Sequence, residues 1–258
     1  MKQFNAQILA NKKIAQDLFE MELSWGEGLL PPAPGQFVTI RVSSDTVPLL
    51  RRPFAVAGYD PDKNSFSIIY KRIGRGTELL VGREIGDVID VIGPLGNAFP
   101  QLTDTLPAML VAGGTGLGPI LFLASQLAAQ EKPVQVLYGC RTNTFVPDSQ
   151  LFTLVEPFIT TDDGSAGFKG TTIDYMRSLA PNGWKGTTLY ACGPSVMLSA
   201  CHQFAVEQSL DCWVSIEQIM ACGVGACMGC VITRNKEPVL RRVCVDGPIF
   251  NSRDVAWN

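Results

Sequence analysis

Ala108-Met109-Leu110-Val111-Ala112-Gly113-Gly114-Thr115-Gly116-Leu117-Gly118-Pro119 decides how this chain folds. An unbroken apolar run suits a strand covered on both faces of a parallel sheet. The glycines that follow open a helix, the place where phosphates meet free backbone N–H groups. The stretch does not satisfy Gly-x-Gly-x-x-Gly, because Pro119 stands where the third glycine belongs. No residue from Thr105 to Gln130 is charged, a length that could cross a membrane. Gly113, Gly114, Gly116, Gly118 and Pro119 instead divide the run into a buried strand, a tight loop and a buried helix.

Downstream the same rhythm repeats. Met109–Ala112, Val134–Tyr138, Phe158–Thr161 and Thr187–Cys192 read as strands, and Pro119–Gln130 and Pro194–Gln208 as helices. The second helix should bury Val196, Met197, Ala200 and Phe204 on one face. Tyr190-Ala191-Cys192-Gly193-Pro194 forms a second strand-to-helix junction on the edge where open α/β sheets bind ligands. Upstream, to about Pro100, short alternating segments (Phe19, Met21, Leu23; Val38, Ile40, Val42; Ser67–Tyr70; Val88–Ile92) suggest a small antiparallel barrel or sandwich. Pro31–Gly35, Asp60–Asn64 and Gly93–Asn97 supply the turns.

The chain has 258 residues, 46% hydrophobic and 17% charged, enough for compact cores and about two domains plus an appendage. A net charge of −3 with no Lys/Arg run longer than a pair argues against nucleic acid. The first residues lack the apolar core of a secretory signal and no membrane segment is expected, so a cytoplasmic protein is expected.

All eight cysteines lie at or beyond Cys140, and half of them fall between Cys222 and Cys244. Without a secretory signal this points to metal or redox chemistry rather than a disulfide framework. Cys222, Cys227, Cys230 and Cys244 read Cys-x4-Cys-x2-Cys-x13-Cys, and the first three match the plant-type [2Fe-2S] spacing. Interleaved Gly223, Gly225 and Gly229 permit a tightly curled loop whose N–H groups can point at sulfur. A structural zinc site is the competing account, although zinc usually takes two separated Cys-x2-Cys knuckles. Cys201 and Cys212 read as small buried hydrophobes.

Gly-Gly-Thr-Gly-x-x-Pro at 113–119, Cys-Gly-Pro at 192–194 and Arg52-Pro53-Phe54-Ala55 together resemble the ferredoxin-NADP reductase superfamily. The tail, Glu217-x-x-Met220-x-Cys222-Gly223-x-Gly225-x-Cys227-x-Gly229-Cys230, resembles that of class B dihydroorotate dehydrogenase electron-transfer subunits. The resemblance covers essentially the whole chain. It implies an α/β plus all-β architecture: residues 1–100 an FAD-binding antiparallel β-barrel, 101–215 a parallel-sheet NAD-binding domain, and 216–258 a small [2Fe-2S] domain.

It further implies that Arg52, Pro53, Phe54 and Ala55 grip FAD, with Arg52 on the pyrophosphate, beside Ile69, Tyr70 and Lys71 and the phosphate turn at Gly76 and Thr77. Ala55 departs from the Ser or Thr of many reductases, which removes a side-chain hydroxyl from the flavin ring. Gly113, Gly114, Thr115 and Gly116 would face the NAD pyrophosphate, and Cys192, Gly193 and Pro194 the nicotinamide. Arg141 could receive a 2′-phosphate and Asp162-Asp163 a ribose or a turn. His202, the only histidine, reads as structural or solvent-facing.

The implied activity is electron transfer in pyrimidine biosynthesis, from the FMN of a dihydroorotate-oxidising catalytic subunit through the cluster and FAD to NAD⁺. The implied assembly is a heterotetramer of two catalytic and two electron-transfer subunits. Two alternatives stand beside it: a related NAD(P)H-ferredoxin or sulfur reductase subunit, and a zinc-stabilised redox-sensing or interaction protein without turnover. Cys244 favours the dihydroorotate system, since some relatives carry Asp at a cluster position.

Overall fold

The computed structural model describes residues 1–100, 107–152, 154–179, 184–233, 235 and 239–257. Strands β1 (Lys2–Ala15), β2 (Leu18–Ser24), β3 (Phe37–Arg41), β4 (Arg52–Asp60), β5 (Ser65–Lys71) and β6 (Val88–Leu95) close into an antiparallel barrel in the order β1-β2-β5-β4-β3-β6. Alternation decides what each strand offers its two sides. Val38, Ile40, Phe54, Val56, Phe66, Ile68 and Tyr70 fill the barrel, and the residues between them face outward. A short helix, α1 (Arg75–Val81), follows β5.

The turn expected over Gly93–Asn97 is only partly a turn. Gly93, Pro94 and Leu95 continue β6, and the chain reverses after them at Gly96, where φ is +72°. Pairing with β3 shifts register between Phe37 and Thr39, opposite Leu95 and Ile92. This irregularity is a place where a strand tolerates a residue without an N–H.

The second body contains β7 (Ala108–Gly113), α2 (Leu117–Ala129), β8 (Val134–Cys140), β9 (Phe158–Thr161), β10 (Phe168–Lys169), α3 (Thr172–Ser178), β11 (Thr188–Cys192), α4 (Ser195–Glu207) and β12 (Asp211–Ser215). The sheet runs β10-β9-β8-β7-β11-β12, parallel throughout. The expected boundary after residue 100 abuts residues 101–106, which lie outside the described residues, as do Thr105 and Leu106 of the uncharged run.

The tail adds β13 (Val231–Thr233), β14 (Leu240–Arg242), the one-turn α5 (Val243–Asp246) and β15 (Ile249–Asn251). The last of these pairs antiparallel with β12, so the chain returns to finish the nucleotide-domain sheet after making its cysteine loop.

One expectation is corrected in α4. The helix buries Leu198, Cys201, Phe204 and Ala205 against the sheet, whereas Val196 is 81% exposed. Met197 and Ala200 pack half-buried against that same core, as expected, and together with Val196 they also line a cleft above the sheet edge. An apolar stripe of the right period does not say whether sheet or ligand space will cover it. No helix among the described residues is long and apolar enough to cross a membrane.

Candidate functional site

Two cavities meet at the carboxyl edge of the sheet. One, of about 500 Å³, lies between barrel and α/β body and is lined by Phe37, Pro53, Ala55, Lys71, Thr115 and Cys192, among others. The other, about 560 Å³, runs over the ends of β7, β8 and β9 and is lined by Gly139, Arg141, Asp162, Thr172 and Met197, among others. Lys71, Gly113, Gly114 and Pro194 belong to both, so the cavities share one wall. Both volumes lie within the usual range for small-molecule sites.

The barrel side brings most of the anticipated flavin residues together. Pro53 and Ala55 face the first cavity, and their neighbour Phe54 packs into the barrel core while still lining that cavity. The same alternation separates Ile69 and Lys71, which face outward, from Tyr70. The Tyr70 ring is buried in the barrel, stacked 5.6 Å from Phe19, with its hydroxyl donating to Asn11 Oδ1 at 2.8 Å. Burial pushes this phenol up to about 12, against the opposing Asn11 hydrogen bond. Tyr70 nonetheless lines the first cavity, beside Ile69 and Lys71.

Arg52 donates to the Leu50 carbonyl, and no carboxylate among the described residues pairs with it. Its neighbour Arg51 is by contrast tied to Asp90. A Cβ on Gly76 would lie 3.0 Å from Arg52 Nε, so the guanidinium rests over the first turn of α1. Thr77 Oγ1 accepts from the N–H groups of Ile73 and Gly74, which closes that turn. A guanidinium with no carboxylate partner, lying over a glycine turn, fits a phosphate.

The glycine loop divides its labour. Gly114 is exposed, with φ +56° and open space around it, and Thr115 is half-buried beside it. Gly113 and Gly116 are packing positions. A Cβ on Gly113 would sit 2.8 Å from Met197 Sδ, and one on Gly116 would sit 2.1 Å from the Cys192 carbonyl oxygen. Both glycine motifs therefore interlock through backbone contact.

Cys192 is buried. Burial and the neighbouring Glu217 charge push its thiol up to about 12, against a hydrogen bond with Ser215, so it remains neutral at ordinary pH. Burial likewise pushes Cys212 up to about 12 and raises Cys201, in keeping with the buried-hydrophobe reading of both. Cys140 is half-buried with its thiol pushed up to about 11, first by burial and then by Asp162 and Asp163. In the second cavity Asp162 and Arg141 line the wall, while Asp163 accepts from Ser165 N and Oγ and closes a turn. His202 lies beside Ser252 Oγ and stacks on Trp257, away from both cavities.

Ser215, Ile216, Glu217, Gln218 and Met220 also line the first cavity, a contribution the sequence reading missed. Their signal was the short apolar run Cys212–Val214 after α4, one more strand ending on the ligand edge. Burial of the carboxyl pushes Glu217 upward, although much of the residue reaches solvent.

That segment runs directly into the cysteine loop. Gly223 and Gly225 take positive φ and curl the backbone round its sulfurs. Val224 and Cys227 N–H groups approach Cys222 Sγ at 3.5 and 3.4 Å, the Gly229 N–H approaches Cys227 Sγ at 3.4 Å, and the Cys244 N–H approaches Cys230 Sγ at 3.4 Å. Burial opposes ionisation of Cys222, yet the N–H groups of Val224, Cys227 and Ala226, with the Cys227 side chain, hold its thiol down at about 6. Burial and the adjoining Cys230 thiol push Cys244 up to about 11.

The thiols thus stand in two pairs, Cys222 with Cys227 and Cys230 with Cys244. The outer pair reaches solvent and the inner pair is buried. Among the described residues no three His, Cys, Asp or Glu side chains are grouped as ligands of a single ion. Two pairs of thiolates with N–H donors on their sulfurs fit two bridged irons better than one tetrahedral zinc. Arg242 donates to the Gly225 carbonyl and its N–H to Asp246, which clamps the loop onto α5.

Comparison with known proteins agrees with this layout. Residues 217–256 match the family described as the iron-sulfur cluster binding domain of dihydroorotate dehydrogenase B. A protein of Geobacillus sp. (strain WCH70), named dihydroorotate dehydrogenase B (NAD(+)), electron transfer subunit, is 38% identical, with 99% of each chain covered. One of the same name from Desulforamulus reducens is 34% identical at the same coverage. Among solved structures, a chain of an NADH-dependent reduced ferredoxin-NADP oxidoreductase superposes with a TM-score of 0.86 at 32% identity, covering 98% of this chain and 90% of that one.

Proposed function

Because the chain belongs to the family of dihydroorotate dehydrogenase B electron-transfer subunits, we propose that it carries electrons from a dihydroorotate-oxidising partner to NAD⁺. The observation that carries this reading is continuity: Ser215, Ile216, Glu217, Gln218 and Met220 line the first cavity and lead straight into Cys222, while that cavity shares its glycine wall with the second. FAD exchanges hydride with a nicotinamide and single electrons with a [2Fe-2S] cluster, which is the chemistry these groups supply when bound.

The chain's own residues bind, orient and shield. Arg52 takes the FAD pyrophosphate, Pro53 and Ala55 give the ring a flat wall, and Gly76 with Thr77 shapes the phosphate turn. Gly114 and Thr115 present main-chain N–H groups to the NAD pyrophosphate, while Gly113 and Gly116 keep that loop against Cys192-Gly193-Pro194. The neutral Cys192 thiol neither ionises nor attacks; it fills space behind the nicotinamide position. Cys222, Cys227, Cys230 and Cys244 hold the irons. Residues 1–100, 101–215 and 216–258 are the FAD, NAD and iron-sulfur units, the last borrowing the nucleotide-domain sheet through β15. The partner is an FMN-containing catalytic subunit in a cytoplasmic two-plus-two assembly.

A second reading, a subunit of an NADH-dependent ferredoxin-NADP oxidoreductase, is favoured by the close superposition with that enzyme. Anaerobic titration of the holoprotein with NADH should bleach flavin and iron-sulfur bands together. With the partner added, Cys227→Ser should abolish coupled NAD⁺ reduction and spare the partner's own dihydroorotate oxidation. Full coupling in that variant would overturn the proposal. Coupling to ferredoxin but not to the dihydroorotate partner would select the second reading.

A further inference from the structure

Thr39 is buried on β3, and its Oγ1 has no hydrogen-bond partner. A buried hydroxyl without a partner is unusual and asks for a physical reason, such as a redox role or a bound group. Its surroundings supply one. Val38 and Ile40 point into the barrel, which leaves Thr39 on the outer face with Phe37. A Cβ on Gly223 would fall 2.7 Å from Thr39 Cγ2, so the branched end of Thr39 abuts the residue that follows Cys222. Oγ1 sits on the same Cβ as that methyl.

The remaining sulfur donors all come from the cysteine region itself: Val224 and Cys227 to Cys222, Gly229 to Cys227 and Cys244 to Cys230. Among the described residues the barrel contributes none. On the other side of the strand pairing, Thr39 stands opposite Pro53 and Phe37 opposite Ala55, the two outward residues of the flavin strand. Phe37 both lines the first cavity and lies 3.9 Å from a Cβ placed on Gly223. One strand therefore touches both redox sites.

We propose that Thr39 Oγ1 donates a hydrogen bond to an anionic sulfur at the Cys222 end of the iron-sulfur site, and so acts as a positioning residue that raises the site's reduction potential. The proposal rests on the cluster assignment above. Reduction adds negative charge to the sulfurs, and a donor aimed at them favours the reduced state. The hydroxyl is satisfied when the site is loaded, which accounts for its lack of a protein partner.

The test compares holoprotein carrying Thr39→Val, which keeps the shape and removes the hydroxyl, with Thr39→Ser, which keeps the hydroxyl. In an EPR-monitored redox titration, Thr39→Val should lower the ratio of reduced to oxidised cluster at fixed potential by roughly three- to tenfold, tenfold being about 59 mV for one electron. Thr39→Ser should stay near wild type. Pulsed EPR of the reduced protein in D2O should count one exchangeable deuteron fewer near the cluster in Thr39→Val. An unchanged midpoint and deuteron count would reduce Thr39 to a packing residue. Absence of a reduced-cluster signal from wild-type holoprotein would fell the cluster assignment itself, and this inference with it.

Discussion

Replacing Gly116 by alanine probes the interlock of the two glycine loops. The added Cβ would sit 2.1 Å from the Cys192 carbonyl oxygen and 2.8 Å from Gly193 N. Non-bonded heavy atoms settle at about 3.5 Å, so the loops must part by more than about 1 Å. Both obstacles are backbone, with no flexible side chain to yield. We therefore place the cost at the upper end of overpacking, about 3 kcal/mol, or a fall in Tm of roughly 10 °C for a chain of this size. A displacement of about 1 Å at reacting atoms costs about 100-fold in rate, so NADH-dependent dye reduction should fall by about that factor in kcat/KM. Gly114→Ala is the control. In the ligand-free protein it meets open space and costs only the positive φ, +56°, about 1 kcal/mol, so it is the control for the melts, while turnover is compared with wild type because Gly114 faces the nucleotide. Thermal melts and steady-state kinetics on both variants decide the matter. A Gly116→Ala protein that melts and turns over like wild type, or one that melts higher than Gly114→Ala, would refute the argument.

Arg52→Gln removes a charge-assisted contact of about 1.5–3 kcal/mol; FAD should bind roughly ten- to hundredfold more weakly by flavin-fluorescence titration, with the melting temperature of the flavin-free protein nearly unchanged. Asp162→Ser removes a negative charge from the cleft that Arg141 shares, and the ratio of NADH to NADPH in kcat/KM should drop about tenfold or more. For alkaline stability, burial raises the phenols of Tyr70 and Tyr190 to about 12 in the folded chain from the ordinary 10.0. Their contribution is complete below pH 10 and is lost as pH rises from 10 through 12. Tyrosinate absorbance should thus rise together with unfolding in that window, and Tyr70→Phe should flatten the pH dependence of the denaturant midpoint.

Several features were written in the chain itself. The strand, loop and helix around Gly113–Pro119 follow from an apolar run broken by glycines, because no other local structure satisfies both. The cysteine loop follows from ligand spacing, since four thiolates so close in sequence can only surround one small site. The barrel strands follow from alternation, which also sends Phe54 and Tyr70 inward once the pairing is known. Other features depended on segments far apart in sequence. Gly114 and Gly116 look alike in a motif, yet only the approach of Cys192 makes one of them a packing position. The apolar face of α4 was visible, but that its Val196 end faces the cleft and not the sheet was decided by the body beneath. The return of β15 to β12 and the placement of Thr39 under Gly223 carry no local pattern. Residue type and period act over a few positions and are legible wherever they occur. Contacts between distant segments arise only when burial brings their surfaces together, and there the tertiary structure alone decides.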